Sequence, residues 1–102
     1  MAKLVVLYKN PADPSAFDDY YFSTHVHLAK KLPGLQRYEV SSGPVKDLQG
    51  QSAYHLIATL EFPSSEAIME ALGSPAGKAT AGDLSNFAQA GVELLVIETK
   101  VV

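Results

Sequence analysis

Apolar positions recur along this chain with two different periods, and each switch of period marks an element. Residues 3–9, KLVVLYK, are apolar on both alternations and rich in β-branched side chains, as in a strand buried on both faces. NPADP then breaks the run. Asp13 suits a helix N-cap, because its carboxylate accepts an orphan backbone N–H, and Pro14 suits the first helical position. At about 100° per residue, Phe17, Tyr21, Thr24, Leu28 and Leu32 fall on one stripe, the expected core face. Asp18 and Asp19 lie near the positive end of this helix, Lys30 and Lys31 near its negative end, and Pro33-Gly34 stops it. Two extended stretches follow, about 35–46 and 53–62, joined through DLQGQS as a hairpin. PSSEAIMEALGS reads as a short capped helix ending at Gly73. PAGKATAGDLSNFA reads as a second helical segment, weakened by Gly77 and Gly82. GVELLVIETKVV is the last strand.

The order β-α-β-β-α(α)-β predicts an α+β, ferredoxin-like domain over residues 1–102, with a four-stranded antiparallel sheet and its helices on one face. Such a sheet normally shows water its other face, so its strands should alternate. These do not. Leu4, Val6 and Tyr8 share one face of the first strand, and Val5 and Leu7 line the other. In the third strand Tyr54, Leu56, Ala58, Leu60 and Phe62 are expected on one face, with Ala53, His55, Ile57 and Thr59 opposite. Leu95 and Ile97 oppose Leu94 and Val96 in the last strand. Both faces want cover and one chain has helices for only one of them. The economical answer is a two-fold homodimer, sheet against sheet, with a chamber between the protomers.

Composition narrows the function. Hydrophobic residues make up 47% of the 102, enough for a packed core. The net charge of −3, with no basic block, argues against nucleic acid as a partner. The longest apolar runs are far short of a membrane span, and the one at the N-terminus is too short for a signal peptide. There is no cysteine, hence no disulfide and no thiolate chemistry, which is compatible with a cytoplasmic location.

Candidate chemistry concentrates in YYFSTHVHLAKKLPG, residues 20–34. His25 and His27 point roughly 160° apart on a continuous helix, so they cannot share a metal; a zinc pair on a helix prefers a spacing of four. His25 reads either as a hydrogen-bonded histidine at the edge of the core or as a general acid/base, which needs a dry cavity and an orienting partner. Tyr38 and His55 from the strands are candidates for such partners, as is Tyr21 one turn earlier. Lys30, Lys31 and Arg37 read as a solvated basic rim, or as an attraction for a carboxylate ligand. Asp83 reads as a helix cap or as a site residue.

Residues 3–40 resemble the EthD family, named for ethyl tert-butyl ether degradation. The matching positions are Leu7-Tyr8, Asp13-Pro14, Phe17, Tyr20-Tyr21, His25, Leu28-Ala29, Lys31 and Pro33-Gly34. Ser74, Pro75, Gly77, Asp83, Asn86 and Phe87 extend the resemblance towards the C-terminus. One departure is His27, which stands where members usually have proline. The resemblance implies a dimeric α+β barrel, and no metal or other cofactor is expected. It favours His25 as acid/base, with Tyr21, Tyr38 and His55 orienting or hydrogen-bonding; Asp83 and Phe87, from the matching motif, and Arg37, from its charge, are the candidates for the ligand. The expected activity is a small isomerase, cyclase or decarboxylase acting on a hydrophobic carbonyl compound or lactone. The alternatives are an accessory protein that holds a hydrophobic metabolite for an oxygenase, and a haem- or oxygen-handling barrel with His25 as axial ligand.

Overall fold

A computed structural model describes all of residues 1–102. Strand β1 is Ala2–Lys9, β2 Arg37–Val40, β3 Tyr54–Phe62 and β4 Val92–Glu98. They form one antiparallel sheet in the order β2-β3-β1-β4, the ferredoxin-like arrangement expected. Helix α1 (Pro14–Tyr20), a π-helical turn (Tyr21–His25) and α2 (Val26–Ala29) run on from one another with helical backbone angles throughout. Helices α3 (Ser65–Gly73) and α4 (Pro75–Asp83) follow β3, and a 3-10 turn (Leu84–Asn86) leads to β4.

The local chemistry is as expected at the helix starts. Asp13 accepts the Ala16 N–H at 3.1 Å, with Pro14 opening α1. Ser64 and Ser74 cap α3 and α4 through the N–H groups of Ala67 and Gly77. Gly77 is required by close approach: a Cβ there would run into the Ala71 carbonyl oxygen where α4 doubles back on α3.

The core lies between the sheet and the helices. Ala2, Leu4, Val6 and Tyr8 of β1 and Leu56, Ala58, Leu60 and Phe62 of β3 are buried there, against Phe17, Tyr21, Ala29, Leu32, Ile68 and Ala71. On the opposite face Val5, Leu7 and Ile57 are only half-buried. Strand β4 is exposed on both sides: Leu94 and Val96 towards the helices, Leu95 and Ile97 away from them, each between 42% and 52% accessible. No helix is long and apolar enough to cross a membrane.

Three expectations need correction. The hairpin's first strand shrinks to Arg37–Val40, because the chain turns away through Gly43, at φ +79°, and Pro44. The buried helix stripe is not Phe17, Tyr21, Thr24, Leu28, Leu32 but Phe17, Tyr21, His25, Ala29, Leu32. The π turn takes up one extra residue, with the Val26 N–H bonded to the Tyr21 carbonyl five residues back, so the core face passes from Thr24 and Leu28 to His25 and Ala29. Lastly, Tyr8 pairs with Leu56 but Lys9 with Tyr54, which leaves His55 as the extra residue of a β-bulge. The bulge reverses the alternation. Tyr54 turns away from the helices and donates to Glu93 at 2.6 Å, while His55 turns towards α1.

Candidate active site

The π turn does one thing for chemistry: it moves His25 from the flank of the helix to the centre of its buried face. There the imidazole is only 3% accessible. Its Nδ1 lies 3.0 Å from Oδ2 of Asp83, the last residue of α4. Oδ1 of the same carboxylate accepts the Tyr20 hydroxyl at 2.6 Å and the Asn86 amide at 2.9 Å. Three donors therefore converge on Asp83, itself 7% accessible. Burial works to raise its pKa, but the bonds from Tyr20, Asn86 and His25 outweigh it and hold the carboxyl below its ordinary value.

His25 goes the other way for a histidine beside a carboxylate. Burial pushes its pKa below the ordinary value, and the pull of Asp83 recovers only part of the loss. Burial thus favours the neutral ring. With Asp83 ionised, Nδ1 carries the proton and donates it, so Nε2 presents a lone pair. That nitrogen faces the Tyr8 hydroxyl at 3.4 Å, a long contact that a ligand can interrupt. Phe87 lies over the imidazole with ring centres 4.7 Å apart, and also packs on Tyr8, Phe17, Tyr20 and Tyr21.

Both shifts have the same consequence for stability. Each group is depressed in the folded protein, so the unfolded chain binds more protons as pH falls. The contribution is complete above about pH 6.5, the ordinary histidine value, and is lost on acidification through the folded values. Melting temperatures measured from pH 8 to pH 4.5 should fall, and His25→Gln should flatten the upper part of that slope. Equal slopes in the two proteins would show that His25 titrates as it does in the unfolded chain.

His25 and Tyr8 border an apolar cavity of about 40 Å³. Leu4, Val6 and Leu60 of the sheet form its floor, and Ala29, Leu32 and Leu84 are among its walls. Tyr21 and Tyr38 also line it, with their hydroxyls 2.6 Å apart. Leu94, 46% accessible, stands at its outer side on β4. The cavity lies within one chain, between sheet and helices. His25 therefore faces this cavity side of the sheet and not the opposite face, where a second protomer's sheet is expected to pack.

The candidates named from the sequence thus divide. Tyr21, His25 and Tyr38 line the cavity, and Asp83 and Phe87 hold and cover His25. His55 does not reach it. The bulge sets His55 on the far side of Phe17, with Nε2 2.8 Å from Asp18. Arg37 points outward and pairs with Glu39 at 3.1 Å, both well exposed. His27 is exposed while His25 is buried, so the two share no ligand. Among His, Asp and Glu side chains no group of three or more is placed to hold a metal ion. A haem does not fit either: the cavity that His25 lines holds about 40 Å³, and the Tyr8 hydroxyl stands 3.4 Å from Nε2, which leaves no room for a porphyrin plane. Tyr8, Tyr20 and Asn86 are functional candidates that sequence reasoning did not single out. Their only signal was membership of the motifs that carry the resemblance.

Comparison with known proteins now bears on this geometry. Residues 9–91 match the model of the EthD domain. A Rhodococcus erythropolis relative, an uncharacterized 11.0 kDa protein encoded in the thcB-thcC intergenic region, is 37% identical over 102 residues, covering 100% of this chain and 98% of its own. The chain belongs to the EthD family. A crystal structure of an EthD family protein from Bacillus halodurans superposes with a TM-score of 0.90 at 33% identity, covering 98% of this chain and 99% of that one. Two more distant structures share the fold alone. SnoaB, a cofactor-independent oxygenase from Streptomyces nogalater, gives a TM-score of 0.67 at 16% identity, with 99% and 94% of the chains covered. A dimeric ferredoxin-like protein of unknown function from Thermobifida fusca gives 0.70 at 10%, with 96% and 90% covered.

Proposed function

We propose that this EthD-family chain is a small cofactor-free enzyme that moves a proton on a hydrophobic carbonyl compound, with His25 as the base. One observation carries the reading. A buried imidazole is held through Nδ1 by Asp83, has Nε2 engaged only by a long contact to Tyr8, and belongs to a residue that lines an apolar cavity. Asp83 fixes the tautomer and offsets the charge that His25 acquires when it takes a proton. Isomerisation, cyclisation and cofactor-free oxygenation all open with this abstraction, and the name of SnoaB supports the last as an option for the fold.

The test is exchange. Simple ketones and lactones are incubated with the protein in D2O, and loss of the α-proton signal is followed by NMR. His25→Gln should slow enzyme-dependent exchange by about 10²–10⁴-fold, the usual range for a positioned base. Undiminished exchange in that variant would dismiss His25. A second reading, a carrier that holds a hydrophobic metabolite for an oxygenase, draws on the same apolar lining. It is favoured by a ligand that co-purifies and leaves unchanged, with no exchange in wild type.

The same reading takes the chain as a cytoplasmic homodimer. Strand β4 exposes apolar side chains on both faces, and a second copy is the economical cover. The dimeric description of the Thermobifida fusca protein supports this assembly. Sedimentation equilibrium at micromolar concentration should return about twice the 10.9 kDa of one chain. A value near one chain would refute it.

A further inference from the structure

The charges around the cavity, taken with the proton-transfer reading on which this step rests, point to a substrate class. We infer that the site takes an uncharged ketone-like carbonyl compound, receives its oxygen at the Tyr21–Tyr38 hydroxyl pair, and discriminates against carboxylates.

No cation reaches the cavity. The chain has eight lysines and arginines, and none is among the lining residues. Lys30, Lys31, Arg37 and Lys78 are exposed, and Arg37 is taken up by Glu39. The one buried charge beside the site is negative, at Asp83. A ligand carboxylate would therefore be stripped of water with no positive partner, and with the Asp83 carboxylate held just behind His25. Burying an unpaired charge is among the costliest events in a protein interior. A neutral carbonyl meets no such penalty.

The hydroxyl pair suits that carbonyl. At 2.6 Å one tyrosine donates to the other, and when Tyr21 is the donor the Tyr38 hydroxyl keeps its own proton to give. Burial pushes both phenols above their ordinary pKa, so the proton stays on oxygen and is available to donate. Tyr21 also lies close to the base, with ring centres 5.4 Å apart. Facing donors and base, a ketone can react without any other group. His25 Nε2 takes the α-proton. The C–H electron pair forms the C=C bond, and the carbonyl π pair moves to oxygen. The resulting enolate oxygen is held by the tyrosine hydroxyl, and the imidazolium returns the proton to carbon. Decarboxylation of a keto acid is disfavoured by the same charges.

Size adds a further limit. The interior space of about 40 Å³ is well below the ~150 Å³ cavity that admits benzene. A cyclic ligand has to push the wall outward, and half-exposed Leu94 is the side chain that can yield with least loss of packing.

The experiment compares three ketones of increasing size, acetone, butan-2-one and cyclohexanone, with acetate, propanoate and cyclohexanecarboxylate. Binding is read at pH 7 from saturable shifts of the His25, Tyr38 and Asp83 amides in ¹⁵N-labelled protein. At least one ketone should bind about tenfold or more tightly than its matched carboxylate. Tyr38→Phe and Tyr21→Phe should each weaken ketone binding by about 3–10-fold, the range of one lost hydrogen bond. A carboxylate that binds as well as its ketone, ketone binding unchanged in both Phe variants, or no ketone binding at all would overturn the inference. Tyrosine-dependent ketone binding without exchange would leave it standing and remove the proton-transfer reading. Exchange that ignores both tyrosines would do the reverse.

Discussion

Asp83→Asn should slow α-proton exchange by about two to four orders of magnitude in a protein that still folds. The reason lies in what surrounds the carboxylate. Oδ1 accepts from both the Tyr20 hydroxyl and the Asn86 amide, so an asparagine at 83 must leave its carbonyl oxygen there. Its amino group is then forced into the Oδ2 position, 3.0 Å from His25 Nδ1. An N–H pointed at Nδ1 turns that nitrogen into an acceptor and moves the ring proton to Nε2. The base has lost its lone pair, although nothing has changed shape. A carboxylate-to-amide change that imposes the wrong tautomer elsewhere costs about 10⁴ in turnover, which sets the upper end of the range. The ¹⁵N shifts of the imidazole report which nitrogen is protonated, and a melting curve reports the fold. Exchange within tenfold of wild type, or an unchanged tautomer, would remove Asp83 from the proton-transfer machinery and leave it a structural tie between Tyr20, His25 and Asn86.

How far the sequence discloses this site depends on the range over which each feature is decided. Elements set by local chemistry were legible. Asp13-Pro14 opens α1, Ser64 and Ser74 open α3 and α4, and the apolar runs give the strands, hence the ferredoxin-like order. His25 stood out because it is titratable beside an apolar stripe. Its central place was not legible, because a π turn carries no propensity signature and a count at 3.6 residues per turn passes straight through it. His55 failed for a similar reason. A bulge is decided by how two strands register across 46 residues of chain, and it reverses the facing of Tyr54 and His55 without altering either segment's own pattern. Asp83 lies 58 residues from His25 and Tyr20 lies 63 from Asp83, so only the folded chain shows one carboxylate holding both. Tyr8 reads in sequence as one more strand aromatic; its hydroxyl acquires meaning from the imidazole opposite.

The second large effect is on stability, and it comes from the ring that joins the dyad to the core. Phe87→Ala should cost about 3–5 kcal/mol, the usual toll of removing a buried phenylalanine. Phe87 is 7% accessible and lies within 4.7–5.9 Å, centre to centre, of His25, Phe17, Tyr20, Tyr8 and Tyr21. Few of these neighbours can move in to fill the gap, because Tyr20 is tied to Asp83 and Tyr21 to Tyr38. For a domain of this size each kcal/mol lowers the melting temperature by about 4–8 °C, so calorimetry should show a fall of at least ~12 °C. Phe87→Leu keeps most of the buried area and should lose less than half as much. The cavity also hydrates His25, and the burial that depressed its pKa is relieved. The acid slope of stability attributed to that residue should therefore shrink in Phe87→Ala along with the melting temperature. A fall of less than ~4 °C would mean that Phe87 is peripheral to the core and that something else keeps water from the imidazole.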